Sequence, residues 1–401
     1  MTASAREAVR KLITDSKRNS LVALSHTVHA NPEVAWQEFR SVQIVAEPFA
    51  NHQKFRLVEK PAGIDTAFVA SAGSGPLHIG ICAEYDALPG IGHACGHNII
   101  ASAGVGAALA LAEVADELGI TVSIFGTPAE EGGGGKIRML DAGLFAGVRA
   151  AMMVHPAPVD ADRMHCLAVS HFDVHYHGRT AHASAFPQQG INAADAITVA
   201  QTAIGLIRQH IRPTDRIHGI VSKGGDAPNI VPDHTIYKAY VRSRTLVELE
   251  ELRPRINQIF EAGALATGCT HDIVEFSAPF SEFLDDEDTL ALYRANAEAL
   301  GRSFPAPQKR RAAMTPHDGE HAISASTDMA NVSLQIPSIH PMLGIEARGS
   351  SNHQPEFTAA CATESADKAV LDGALGMALT CIDLATNQQH RDRLLTGLWP
   401  L

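Results

Sequence analysis

A chain of 401 residues with 45% apolar and 19% charged side chains has the balance of an ordinary globular protein, long enough for two domains and a large core. Its 32 basic and 44 acidic side chains leave a formal charge of −12 with no basic stripe, which argues against a nucleic-acid partner. The longest apolar stretches, such as 99–112, contain Gly and Ser and read as too short for a membrane span; residues 1–19 lack a signal-peptide core, so a cytoplasmic protein is expected.

Residues 5–29 predict an amphipathic helix, with Val9, Leu12, Ile13, Leu21, Leu24 and Val28 on a helical period. Pro32 closes it, because the residue before a proline avoids helical backbone. Segments 68–70, 77–83, 121–126 and 150–155 read as strands, and helical segments separate the last three. That alternation implies an α/β fold with a mostly parallel, doubly wound sheet. Near residue 168 the pattern changes. A strand at 171–176, a helix at 191–211, strands at 217–222 and 234–244, a helix at 246–265 and a strand at 272–276 predict a small α+β domain with an antiparallel sheet. A helix at 288–300, a Pro- and charge-rich connection, a strand near 339–343 and a helix at 363–384 follow. The expected organisation is a discontinuous domain, 1–167 and 280–401, with 168–279 inserted into it.

The segment from Glu84 to Asn98 concentrates the chemistry. It holds Cys95, His93, His97, Glu84 and Asp86, the ligand types of a transition metal, between an apolar strand and an Ala-rich helix. In open α/β sheets, ligands gather at such strand ends. Glu130-Glu131 follows the strand at 121–126 and precedes four glycines, Gly132 to Gly135. One glutamate of such a pair can ligate a metal while the other acts as a general base. His155-Pro156 follows the strand at 150–155, and His353 lies in the polar stretch 351–357. Taken singly, a Glu-Glu pair is usually solvated surface and a His-Pro is usually structural. It is their joint placement after apolar strands that points to a metal centre. The six cysteines are scattered, so free thiols are expected rather than a disulfide framework.

With these motifs in order, together with 29–33, Glu38, 178–184, 326–329 and 352–355, the chain resembles the dinuclear metallo-aminoacylase and hippuricase group, peptidase family M20. Within it the chain is most similar to the p-aminobenzoyl-glutamate hydrolase and Xaa-Arg dipeptidase branch, whose Asn it shares at Asn98. The resemblance implies a metallo-amidohydrolase or dipeptidase with two divalent ions per subunit, Zn or Mn. Cys95 would bridge them as thiolate, and His97, Glu131, His155 and His353 would complete the ligand shells. Glu130 would be the general base toward a metal-activated water, and Asp86 would orient a ligand imidazole. His182 would help bind the tetrahedral intermediate, reaching a partner subunit's site. Asn229 and either Arg242 or Arg244 would hold the substrate carboxylate. The inserted domain would act as lid and as the interface of a homodimer. The substrate would be a small dipeptide or an N-acyl or aminobenzoyl amino acid, with no membrane and no nucleic acid involved. Two alternatives remain: a non-catalytic binder of amino-acid conjugates, and an N-carbamoyl or N-acyl amino acid hydrolase of different range.

Three further groups read as bland. His165, His171, His175 and His177 form a polar strand face on which a metal site is imaginable. Lys309-Arg310-Arg311 reads as a solvated loop. His317 and His321 sit in a polar loop where a substrate-pocket role is the minor reading.

Overall fold

The computed structural model describes residues 2–304, 325–397 and 399. The basic run 309–311, His317 and His321 therefore lie outside the described residues. The chain divides into two compact units, Met1–His165 with Phe283–Leu401, and Cys166–Glu282.

The larger unit is built on a six-stranded sheet. Its strands are β1 (Arg56–Glu59), β2 (Phe68–Gly73), β3 (Leu77–Glu84), β4 (Ile120–Thr127), β5 (Ala150–Met152) and, far along the chain, Ser338–Ile339. Their spatial order is β1-β2-β4-β3-β5, with Ser338–Ile339 beyond β5. The four strands from β4 to that last one run parallel, while β1 and β2 form an antiparallel edge. β3 is buried along nearly its whole length, as a strand covered on both faces must be, and its apolar composition suits that.

The helices His97–Leu118 and Glu364–Thr386 pack closely in the core, where a Cβ on Gly106 would stand 3.0 Å from the Ala374 Cβ. At 22 and 23 residues both are long and apolar enough to cross a bilayer, so length does not exclude a span as the sequence suggested. Their apolar windows are 94% and 89% buried inside the protein, the environment of core helices.

The structure departs from the expected elements in three places. The helix at 5–29 is two helices, Thr2–Lys11 and Arg18–His29, joined by a π-helical turn in which the Lys17 N–H bonds to Leu12 O, five residues back. The strand at 150–155 breaks after Met152, and β6 (His155–Ala157) leaves the main sheet. The strand at 339–343 breaks likewise at His340-Pro341, where proline supplies no N–H for the ladder. Its continuation, Met342–Gly344, pairs in parallel with β6 alone, so the two broken strands carry His155 off the sheet together. The helix Phe39–Ala50 had no sequence reading; Pro48 inside it argues locally against a helix.

The smaller unit carries β7 (Ala168–His177), β8 (Arg216–Lys223), β9 (His234–Ser243) and β10 (Thr270–Glu275) in the antiparallel order β10-β7-β9-β8. Phe172, Val174 and Tyr176 alternate inward and share a core with Ile197, Ile256 and Phe260 of the helices Ala193–Ile207 and Leu246–Thr267. Each helix starts at a side-chain cap: Asn192 accepts the Ala194 N–H at 3.0 Å, and Thr245 accepts the Glu248 N–H at 3.2 Å.

Candidate active site

Three turns at the ends of parallel strands build the centre. After β3, Asp86 and His97 are both fully buried, and His97 Nδ1 lies 3.0 Å from Asp86 Oδ1. Between them Gly96 turns the chain at φ 73°; a Cβ there would stand 2.4 Å from Pro156 Cγ. Glycine thus lets Cys95 and His97 close against the His155-Pro156 segment. The second oxygen of Asp86 accepts the Glu131 N–H at 2.9 Å, tying the turn after β3 to the turn after β4.

That second turn is tight. Ala129 takes φ 57° and donates its N–H to Glu38 Oε1 at 2.8 Å, while its carbonyl accepts the N–H groups of Gly133 and Gly134. A Cβ on Gly135 would lie 1.9 Å from Pro128 O, so the turn closes only on glycine. From β6, His155 Nδ1 donates to Pro156 O at 2.8 Å, which leaves Nε2 free for a ligand. His353 sits at φ 68° with its N–H on Ala94 O, and its Nε2 is 2.9 Å from Cys95 Sγ.

The donor atoms fall into groups whose members all lie within 4.8 Å of one another: Cys95 with His97 and His155, and Cys95 with Glu131 and His353. Cys95 is common to both. Glu130 belongs to neither; it groups with His97 and Glu84, its Oε2 3.9 Å from His97 Nε2. Both glutamates reach His97 Nε2 at 3.9 Å, but only Glu131 also groups with Cys95 and His353.

The electrostatics are those of a crowded acidic site. Burial, then the charges of Glu131 and Glu130, holds the Cys95 thiol well above its ordinary range. Burial, then Glu84 and Glu131, raises Glu130 well above the usual carboxylate range. Burial would lower His97, but the charge and hydrogen bond of Asp86 outweigh it and raise this imidazole. His155, buried beside His340 and His97, is pushed well down.

The family model described as Peptidase family M20/M25/M40 matches residues 80–367. The chain belongs to peptidase family M20. A mouse Xaa-Arg dipeptidase is 35% identical over 92% of this chain and 86% of its own length. A p-aminobenzoyl-glutamate hydrolase subunit from Escherichia coli is 26% identical over 92% of this chain and 90% of its own length. Among solved structures, an aminobenzoyl-glutamate utilization protein from Klebsiella pneumoniae covers 93% of this chain and 97% of its own, with TM-score 0.71 and 19% identity. The YxeP protein of Bacillus subtilis, described as a dinuclear metal binding peptidase, covers 92% and 98% with TM-score 0.64 and 19% identity.

This M20 protein is accordingly a hydrolase acting on C–N bonds, and its centre suits divalent ions. The buried His97 Nε2 has no hydrogen-bond partner among the described residues although Nδ1 is committed to Asp86. A buried, unpaired imidazole nitrogen among a thiol and carboxylates is a donor waiting for a cation. The set of one sulfur, three imidazoles and a carboxylate is the mixture that borderline divalent metals accept.

The other residues that the resemblance assigns to the site lie in the smaller unit. His182 and Asn229 are neighbours on paired backbone: Ala183 N–H bonds Asn229 O, and His182 bridges Ile230. The His182 ring is exposed, and its Nδ1 accepts the Ala185 N–H at 3.2 Å. Arg242 lies on β9 over the Tyr240 ring and beside His218, whereas exposed Arg244 pairs with Glu248 at 2.6 Å.

Sequence reasoning missed Lys136. Its ammonium is fully buried between Glu84 and Asp328, 2.5 Å from the Asp328 carboxylate, and its backbone N–H donates to that same side chain. The signal was present indirectly, since two carboxylates in apolar surroundings require a counter-charge. His340 was missed too; its ring centre is 5.5 Å from that of His155.

Proposed function

We propose that this M20 hydrolase cleaves the amide bond of a dipeptide or of an N-acyl or aminobenzoyl amino acid, using two divalent ions per subunit, zinc or manganese. The observation that carries the reading is the sharing of Cys95 by two donor groups, with Glu130 beside them but outside both. In this reading Cys95, as thiolate, would contribute to both ions, with His97 and His155 holding one and Glu131 and His353 the other. Ions held there supply Lewis acidity toward the scissile carbonyl and the attacking water.

The chain's own residues handle the proton. The Glu130 carboxylate takes it from the attacking water and returns it to the leaving nitrogen. Asp86 fixes the His97 tautomer by holding Nδ1–H, so that Nε2 faces the centre. His182 is assigned to the tetrahedral intermediate's oxyanion, acting in a partner subunit's site, and Asn229 with an arginine to the substrate carboxylate. Either Arg242, which lies over the Tyr240 ring, or Arg244, which pairs with Glu248, would be that arginine. The relatives' names support the substrate class: one is called an Xaa-Arg dipeptidase and another a p-aminobenzoyl-glutamate hydrolase.

Glu130→Gln tests the assignment. Metal content should stay at the wild-type level while hydrolysis falls by about 10³-fold. Turnover within tenfold of wild type would exclude Glu130 as the base. A panel of Xaa-Arg dipeptides, p-aminobenzoyl-glutamate and N-acyl amino acids, run with zinc and manganese separately, identifies the substrate branch; silence across it would overturn the reading.

A further inference from the structure

The outer face of the smaller unit's sheet carries a second group of metal-ligating side chains. Because Phe172, Val174 and Tyr176 point into the core, His175 and His177 project from the opposite face of β7. The register places His234 of β9 directly across from His177 and Asp272 of β10 directly across from His175. Three imidazoles and a carboxylate thus meet across three adjacent strands. His175 Nδ1 and His234 Nε2 stand 3.0 Å apart, and the His177 ring lies 5.0 Å from that of His234. The sequence had grouped His165 and His171 with this patch. The structure puts His165 in the other unit, and His171 against Tyr240 and Phe280.

We infer that His175, His177 and His234 form a surface site for one imidazole-seeking divalent ion, such as Zn²⁺, Ni²⁺ or Cu²⁺. Two imidazole nitrogens on one ion, each bonded at about 2.0–2.1 Å, stand about 2.9–3.4 Å apart. His175 Nδ1 and His234 Nε2 already stand at that spacing, held by a hydrogen bond whose proton the ion displaces. Asp272 Oδ1 lies 2.7 Å from His177 Nε2 and so leaves Nδ1 of that ring for the ion. Asp86 holds His97 in the same way, a carboxylate fixing the tautomer of a ligand imidazole. The strand ladders fix the three backbones, so capture requires only side-chain rotation, in which the His177 ring leaves its stack on His234 and turns Nδ1 toward the ion. Lys223 and Asp233 are the nearby charges at His234 and oppose each other in sign. With imidazole donors predominant, Mg²⁺ and Ca²⁺, which require oxygen shells, are excluded.

The test uses the full-length, metal-loaded enzyme. Equilibrium dialysis against ZnCl₂ followed by elemental analysis should find one more ion per chain in wild type than in His175→Gln/His234→Gln. Cu²⁺ added to wild type should give an electron paramagnetic spectrum with nitrogen splittings that the double variant lacks. Asp272→Asn should weaken this binding by about tenfold. Cys95→Ala should keep the extra ion while losing those of the catalytic centre, which separates this site from the proposed active site. Equal zinc content in wild type and the double variant overturns the inference.

Discussion

At Gly96 the site depends on the absence of a side chain. Its φ of 73° penalises any residue with a Cβ, and that atom would also collide with Pro156. Gly96→Ala should therefore destabilise by about 2–3 kcal/mol and lower metal content, since Cys95 and His97 flank the turn; circular dichroism melts and elemental analysis read both. Cys95→Ala removes the donor common to both groups, so it should reduce bound metal more than His353→Ala, which takes a donor from one. Glu38 adds a pH dependence. Burial, then the charge of Asp86, raises it to about 7. Its contribution to folding is full below about 4.5 and is lost as pH rises through 7, amounting to about 3 kcal/mol. The melting temperature of metal-free wild type should fall across that window relative to Glu38→Gln. These residues differ in how far the sequence exposed them. Cys95, His97 and the glutamate pair are recognisable because their chemistry is contiguous. Lys136 is not, because its carboxylate partners lie 52 and 192 residues away and no spacing joins them.

At the scale of elements, the strands that carry the site were legible because burial on both faces writes a continuous apolar run. Their breaks at Met152 and at His340-Pro341 were not, because the change of partner from the main sheet to the β6 pairing lies between segments nearly two hundred residues apart. The edge of the smaller sheet is informative in another way. β8 is a terminal strand, yet it exposes Ile220 at 64% and Val221 at 44%, and the helix Ala193–Ile207 exposes Leu206 at 71%. Natural edge strands are ordinarily protected by charge or proline. Although Arg216 and Lys223 flank β8, the exposed Ile220 and Val221 between them suit a second copy of the chain, the homodimer that the resemblance implies. Ile220→Lys should shift the protein toward monomer in sedimentation velocity while leaving its far-ultraviolet dichroism unchanged. A wild-type monomer at micromolar concentration would remove that role from β8.

At the scale of the molecule, the division of labour follows from where each donor lies. Cys95, His97, Glu131, His155 and His353 all belong to the unit Met1–His165 with Phe283–Leu401, and they are drawn from four separate stretches of it. Metal bound there links those stretches to one another and stabilises the state that holds it by about 4 kcal/mol at a thousandfold excess over Kd. The smaller unit has its own sheet, two capped helices and a closed apolar core, none of which includes a catalytic-centre donor. Stripping the ions with a chelator should therefore act selectively. Hydrogen exchange should accelerate in 84–98, 126–135 and 350–357, while the helices Ala193–Ile207 and Leu246–Thr267 keep their protection. Restoring Mn²⁺, which imidazole clusters bind more weakly than zinc or copper, should reverse the first effect without touching the second. Equal acceleration in both units on metal removal would mean that the fold as a whole, and not only the unit holding the donors, depends on the ions.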